Sequence, residues 1–179
     1  KADIAVWLIT FSLTVLADLT VAVEVGMTLA ALLYIRKVTV TSTVSRVTAD
    51  YISAGFAHSL QTNPMPDGVA VYRIHGPFLF GATDKLAIID DEFDALPSVV
   101  VLRLRNMTAI DATGLHALEN LAERLVKSGR HLVLCGMRDQ PAKLMTQAEF
   151  HHHIGGENIC ISLKAAVARA QELLRAAEI

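Results

Sequence analysis

An almost unbroken apolar run from Ile4 to Ile35 constrains this chain more than any other feature. Only Asp18, Glu24 and scattered Thr and Ser interrupt its 32 residues. As one helix the run would extend about 48 Å, too long for a hydrocarbon core of about 30 Å. The stretch WLITFSLTVLADLTVAVEVG contains a natural break, because Asp18 and Thr20 lie between two apolar runs and either can cap a new helix. The spacing predicts a hairpin of two short membrane helices, roughly residues 4–17 and 20–37, each below the roughly 20 residues of a full span. A secretory signal fits poorly, since its apolar core is about 7–15 residues behind a basic start. A buried helical pair in a soluble protein stays open as the alternative.

Lys1 precedes the hairpin, while Arg36 and Lys37 follow it directly. Both ends of a hairpin share one side, and the positive-inside rule makes that side cytoplasmic. The start at Lys1, without a methionine, suggests a larger protein that has been cut. An ionisable group at membrane depth costs at least about 2.5 kcal/mol unless it is paired, hydrated or functional. Asp18 is read as the cap of the bend. Glu24, one turn into the second helix, faces either a protein interior or the positive helix end. Neither residue alone indicates an ion pathway.

Composition narrows the function. With 53% hydrophobic residues, 19% charged residues and a mean hydropathy of +0.42, the chain is not disordered. The net charge is −2 and no segment has a basic excess, so nucleic acid is excluded as a partner. Two cysteines, Cys135 and Cys160, form no disulfide framework and fit a reducing compartment.

Residues 39–67 form a linker rich in Thr and Ser, ending in the turn chemistry of Asn63-Pro64 and Pro66-Asp67-Gly68. Within it, VTVTSTV either alternates as a strand or continues the preceding helix for a turn or two. From Gly68 onward strands and helices alternate. VAVYRIH (69–75) reads as a strand, a turn at Gly76-Pro77 leads to a short strand at 78–80, and a helix follows over about 83–95. VVVLRL (99–104) reads as a buried strand. A helix over 112–127 carries Leu115, Leu118, Leu121, Ala122 and Leu125 on one face and stops at Ser128-Gly129. HLVLCG (131–136) is a strand, 141–148 a helix opened by Pro141 at its first position, and 158–161 a brief strand. A last helix over 163–177 is capped by Ser162. The fold class is α/β, a mainly parallel sheet covered by helices, behind the membrane hairpin. The domains are 1–38, 39–67 and 68–179.

Candidates for chemistry are few. NMTAIDATGLHAL (106–118) places Asp111, Thr113 and Gly114 at a helix N-terminus, where free N–H groups and the dipole favour an anion or an added phosphate. The plain alternative is that Asp111 only caps and Thr113 only fills the first turn. His151-His152-His153 lacks the accompanying ligands of a metal site; it reads as a loop, and no metal is expected. Cys135, on a buried strand, is a core thiol rather than a nucleophile. Asp90-Asp91-Glu92 and Asp94 read as a solvated helix end. GxxxxGK[ST], GxGxxG and GxSxG are all absent, so neither an enzyme nor a cofactor is called for.

The segments VAVYRIHGPFLFGATDKL, VVVLRLRNMTAIDATGLHAL, HLVLCGM and IGGENICISLKAAVARA make residues 69–177 resemble a STAS domain, the fold shared by sulfate transporters and anti-sigma factor antagonists. Upstream, ITFSLTVLADLTVAVEVGMTLAALLYIRKV is similar to the last two membrane helices of SulP/SLC26 anion permeases. The joint resemblance implies the C-terminal part of a multi-spanning anion permease in the inner (plasma) membrane, its STAS domain in the cytoplasm as a regulatory and structural module. Its implied partners are the rest of the permease membrane domain, the lipid bilayer, a second copy in a homodimer and a cytoplasmic regulatory protein. In the antagonists the phosphorylated serine precedes the glycine of D-[ST]-[ST]-G; the matching position is Thr113, with Ala112 and the threonine itself as departures. The family's anion site lies on earlier helices, so no substrate-binding residue carries over. The competing reading is a membrane-anchored STAS signalling protein of the antagonist type, working as a phospho-switch.

Overall fold

The computed structural model describes residues 2–47 and 66–177, which fall into two compact units, 1–40 and 41–179. The expected turn at Asn63-Pro64 lies outside the described residues.

The first unit is a helical hairpin. Helix α1 (Ala2–Leu16) and helix α2 (Leu19–Thr41) are separated at Ala17–Asp18, as the polar break in the apolar run predicts. The Thr20 N–H donates to Asp18 Oδ1 at 3.1 Å and the Ala22 N–H to the Asp18 carbonyl at 3.0 Å. Asp18 thus satisfies α2's first free donors. The helices run antiparallel in close contact: a Cβ built on Gly26 would lie 2.8 Å from Thr10 Oγ1. Farther along the pair, Asp3 and Val6 share a groove with Ala30 and Leu33. One expectation is corrected here. α2 has 23 residues, and its Leu19–Lys37 stretch is long and apolar enough to cross a membrane, whereas α1 is shorter. Most large apolar side chains of the hairpin, including Trp7, Phe11, Leu16, Met27 and Tyr34, are exposed.

The second unit is a five-stranded sheet in the order β1-β2-β3-β4-β5: Thr43–Arg46, Val69–Phe78, Val99–Ile110, His131–Cys135 and Ile159–Cys160. β1 pairs antiparallel with β2, and the remaining pairs are parallel. The sheet therefore begins upstream of the boundary expected at Gly68. TVSR inside the anticipated linker is its first strand, where Val44 packs against the core and Ser42, just before it, is buried with its hydroxyl donating to the Pro77 carbonyl.

Three further elements differ from the sequence reading. β2 runs through Gly76-Pro77 without ending; Gly76 takes φ +85°, and Pro77 sits where the ladder to β3 skips, so no N–H is missed. β3 reaches Ile110, because Met107 and Ile110 are buried while the intervening polar residues hide the period. The helix expected over 83–95 breaks into a 3₁₀ segment (Phe80–Leu86), a short helix α3 (Ala87–Asp91) and another 3₁₀ turn (Phe93–Ala95). Glu92 sits at the break, drawn towards the sheet by hydrogen bonds from buried Tyr72 Oη and from Arg46 Nη1, both 2.8 Å. The Tyr72 bond holds the Glu92 carboxyl below its usual range, and burial raises the Tyr72 phenol.

Helix α4 (Ala112–Lys127) covers one face with Leu115, Leu118, Leu121 and Leu125; Tyr72, Leu102, Leu104, Leu134 and Phe150 complete that core. Helix α5 (Asp139–Gln147) starts two residues before Pro141, which the first turn tolerates because no intrahelical acceptor awaits its absent N–H. His151–His153 form the single-turn helix α6 (His151–Ile154), not a loop. Helix α7 (Leu163–Ala177) covers the other face, packing Ala166, Val167 and Ala170 with Val71, Val99, Val101 and Val133. Ser162 caps it, its Oγ accepting from the Ala165 N–H at 3.2 Å.

Candidate functional site

The long strand β3 delivers its chain into the first turn of α4. Asp111 stays extended (φ −109°, ψ −178°) and its Oδ1 accepts the Gly114 N–H at 2.8 Å, while its carbonyl accepts from Leu115 at 2.9 Å. This is an N-cap. The strand end is clamped from α5: Gln140 Oε1 accepts the Ile110 N–H at 3.0 Å and Gln140 Nε2 donates to the Ile110 carbonyl at 2.9 Å. Gln140 acts as a one-residue extension of the sheet. Sequence inspection missed it; a polar side chain beside Pro141 was the available signal.

Gly114 is buried, and a Cβ there would lie 2.4 Å from the Phe78 carbonyl oxygen and 3.1 Å from Ile110 Cγ1. The helix approaches the end of β2 so closely that only glycine fits. Between cap and glycine, Ala112 and Thr113 are exposed. The Thr113 hydroxyl thus stands at the positive end of a 16-residue helix. Asp111 and Gly114 have structural roles of their own, and Thr113 is the exposed residue of the trio.

The other candidates lie elsewhere. Asp18 caps α2 and Glu24 is exposed on α2, both in the hairpin unit. His152 and His153 approach Glu149 at 3.7 Å and Glu123 at 3.8 Å, and among the described residues no three side chains group to hold a metal ion. Asp90 pairs with Arg124, and Glu92 is the buried tyrosine's acceptor rather than part of a solvated end. Burial pushes the Cys135 thiol up to about 12, which makes it a poor nucleophile.

Comparison with known proteins bears on this geometry. The family model of the STAS domain matches residues 61–169. YvdB of Bacillus subtilis (strain 168), a protein named as a sulfate transporter, is 27% identical over 164 residues, 88% of this chain. The chain spans 28% of that protein's length. A crystal structure of a sulfate transporter family protein from Wolinella succinogenes aligns with a TM-score of 0.61 at 34% identity, covering 66% of this chain and 98% of the other. The murine Slc26a9 anion transporter in its inward-facing state aligns with a TM-score of 0.69 over 94% of this chain and 28% of its own; at 17% identity this is a likeness of fold. A STAS match over more than half the chain and the close likeness to the Wolinella protein lead to one conclusion: the chain belongs to the STAS-bearing sulfate transporter family, SulP/SLC26.

Proposed function

We propose that this chain is the C-terminal segment of a secondary anion transporter of the sulfate permease type. In this reading α1 and α2 close the membrane domain, and the sheet unit from Thr41 onward is its cytoplasmic regulatory and structural module. The observation that carries it is the pairing of an unmistakable STAS sheet with a hairpin whose large apolar residues, from Trp7 to Tyr34, are exposed. Such a surface needs lipid or other membrane helices around it. Arg36 and Lys37 near the end of the hairpin favour the cytoplasmic side for the sheet unit. The partners are the remaining membrane domain, a second copy of the protein and a cytoplasmic regulator that reads the Thr113 surface. The module carries out no chemistry of its own.

The test uses the whole gene product in proteoliposomes. Labelled sulfate uptake is expected, and deleting residues 41–179 should reduce it severalfold. Thr113→Glu should leave the thermal midpoint near wild type, since an exposed first-turn position changes stability by about 0.5 kcal/mol or less, yet alter uptake or regulator binding. Helix-dipole stabilisation of a charge there is about 0.3–1 kcal/mol, and the Asp111 carboxylate opposes it, so the effect belongs to the partner surface. Thr113→Val should retain fold and uptake while losing any response to phosphorylation. Proteoliposomes that move no inorganic anion, from a gene product close to 19.4 kDa, would instead support the membrane-anchored phospho-switch.

A further inference from the structure

On the α7 face of the sheet, the residues of β3 change character partway along. Val99 and Val101 are buried with α7, and the next two positions on that face are Arg103 and Arg105. α7 begins at Leu163, and beside its first turn lies a cavity of about 370 Å³ lined by Arg103 and Arg105 of mid-β3, Lys164, Ser162, Met137 and Ile161, together with the end of β4. Its size suits a small molecule rather than a bare monatomic ion, since such sites run from roughly 300 Å³ upward.

Three cations line this cavity and, among the described residues, no carboxylate does. Arg103 lies in register with Arg73 of β2. Ser162, Leu163 and Lys164 bring the positive end of α7 to the cavity wall. The wall is already shaped. Gly136 takes φ +70° and packs its backbone against Arg105, a Cβ there lying 3.5 Å from Arg105 Cβ. Arg138 Nε donates to the Arg105 carbonyl at 2.9 Å, and the Gly136 N–H to the Cys160 carbonyl at 3.1 Å. Met137 and Leu163 add apolar wall, and Ile161 at the rim is 95% exposed.

We propose that this crevice binds a small molecule bearing a phosphate or sulfate group. The oxyanion sits among Arg103, Arg105 and Lys164, and any organic part lies against Met137 and Ile161. The site is on the opposite sheet face from Thr113 and does not rest on the transporter reading.

The full chain in detergent, at ionic strength held constant with chloride, is titrated calorimetrically with inorganic phosphate, inorganic sulfate and phenyl phosphate. Saturable binding with a Kd on the order of 1 mM or tighter is expected for at least one probe. Arg105→Gln and Lys164→Gln, both at exposed positions, should each weaken it about tenfold without moving the ligand-free thermal midpoint. Thr113→Val should leave it unchanged. Tighter binding of phenyl phosphate identifies an organic ester as the ligand type, and equal or weaker binding identifies the free ion. Absence of saturable binding by all three probes, or affinities that neither substitution moves, overturns the proposal.

Discussion

Replacing Gly114 by alanine is expected to destabilise the sheet unit by about 3 kcal/mol, the upper part of the usual range for overpacking. The thermal midpoint should fall by roughly 6–12 °C. The added methyl would stand 2.4 Å from the Phe78 carbonyl oxygen, 3.0 Å from Phe78 Cδ1 and 3.1 Å from Ile110 Cγ1. The first of these is backbone within β2, so it cannot swing aside as a side-chain tip would. Relief requires α4 to back away from the sheet, and that withdraws Leu115 and Leu118 from the core they fill. Gly156→Ala supplies the control, because a Cβ there meets nothing within 4 Å. A Gly114→Ala midpoint within 2 °C or so of wild type would show that the helix end yields more easily than its packing indicates.

The same geometry alters how the Asp111-Ala112-Thr113-Gly114 pattern is understood. A phosphorylation motif and a tight strand-to-helix junction ask for the same residues. Asp111 is present as a cap and Gly114 as the only residue that fits under Phe78. Neither therefore argues for a phosphate by itself, and the proposal of a phospho-acceptor rests on exposed Thr113 alone.

Which parts of the fold could be read from the sequence depends on where burial repeats. α4 shows its inner face at three- and four-residue spacing, α7 does the same, and β4 is short and wholly apolar after its first residue. Those elements are legible. β1 is not, because TVSR is a four-residue, half-buried edge strand whose pairing depends on a partner distant in sequence. The second half of β3 hides behind Arg105, Asn106 and Thr108, and only Met107 and Ile110 betray it. The broken segment after β2 is set by tertiary bonds from Tyr72 and Arg46 to Glu92, which no local propensity contains. The cationic crevice left one readable sign: the alternation of VVVLRLR puts valine and arginine on a single face, a pattern that cannot be covered by an apolar helix along its whole length.

Leu118→Ala should destabilise the same unit by about 2–5 kcal/mol through lost burial and a residual cavity. Leu118 is fully buried at the middle of α4's inner stripe, in the core that also holds Leu102, Leu104 and Phe150. Asn120→Ala, two residues on and exposed, should change stability by about 0.5 kcal/mol or less. A domain of ordinary stability has about 5–15 kcal/mol to lose, so Leu118→Ala yields a folded but weakened module whose Thr113 surface is chemically intact. On the transporter proposal, that variant separates two ways in which the module would influence transport. If the sheet unit acts as a scaffold, uptake by the whole protein should fall with thermal stability, in Leu118→Ala and Gly114→Ala alike, while Thr113→Glu behaves as wild type. If it acts through a surface that a regulator reads, Thr113→Glu should change uptake at an unaltered midpoint, and Leu118→Ala assayed well below its own midpoint should not. Parallel melting curves and sulfate uptake on wild type and these three variants decide between them, and a Leu118→Ala midpoint equal to wild type would show that α4 does not form the core described.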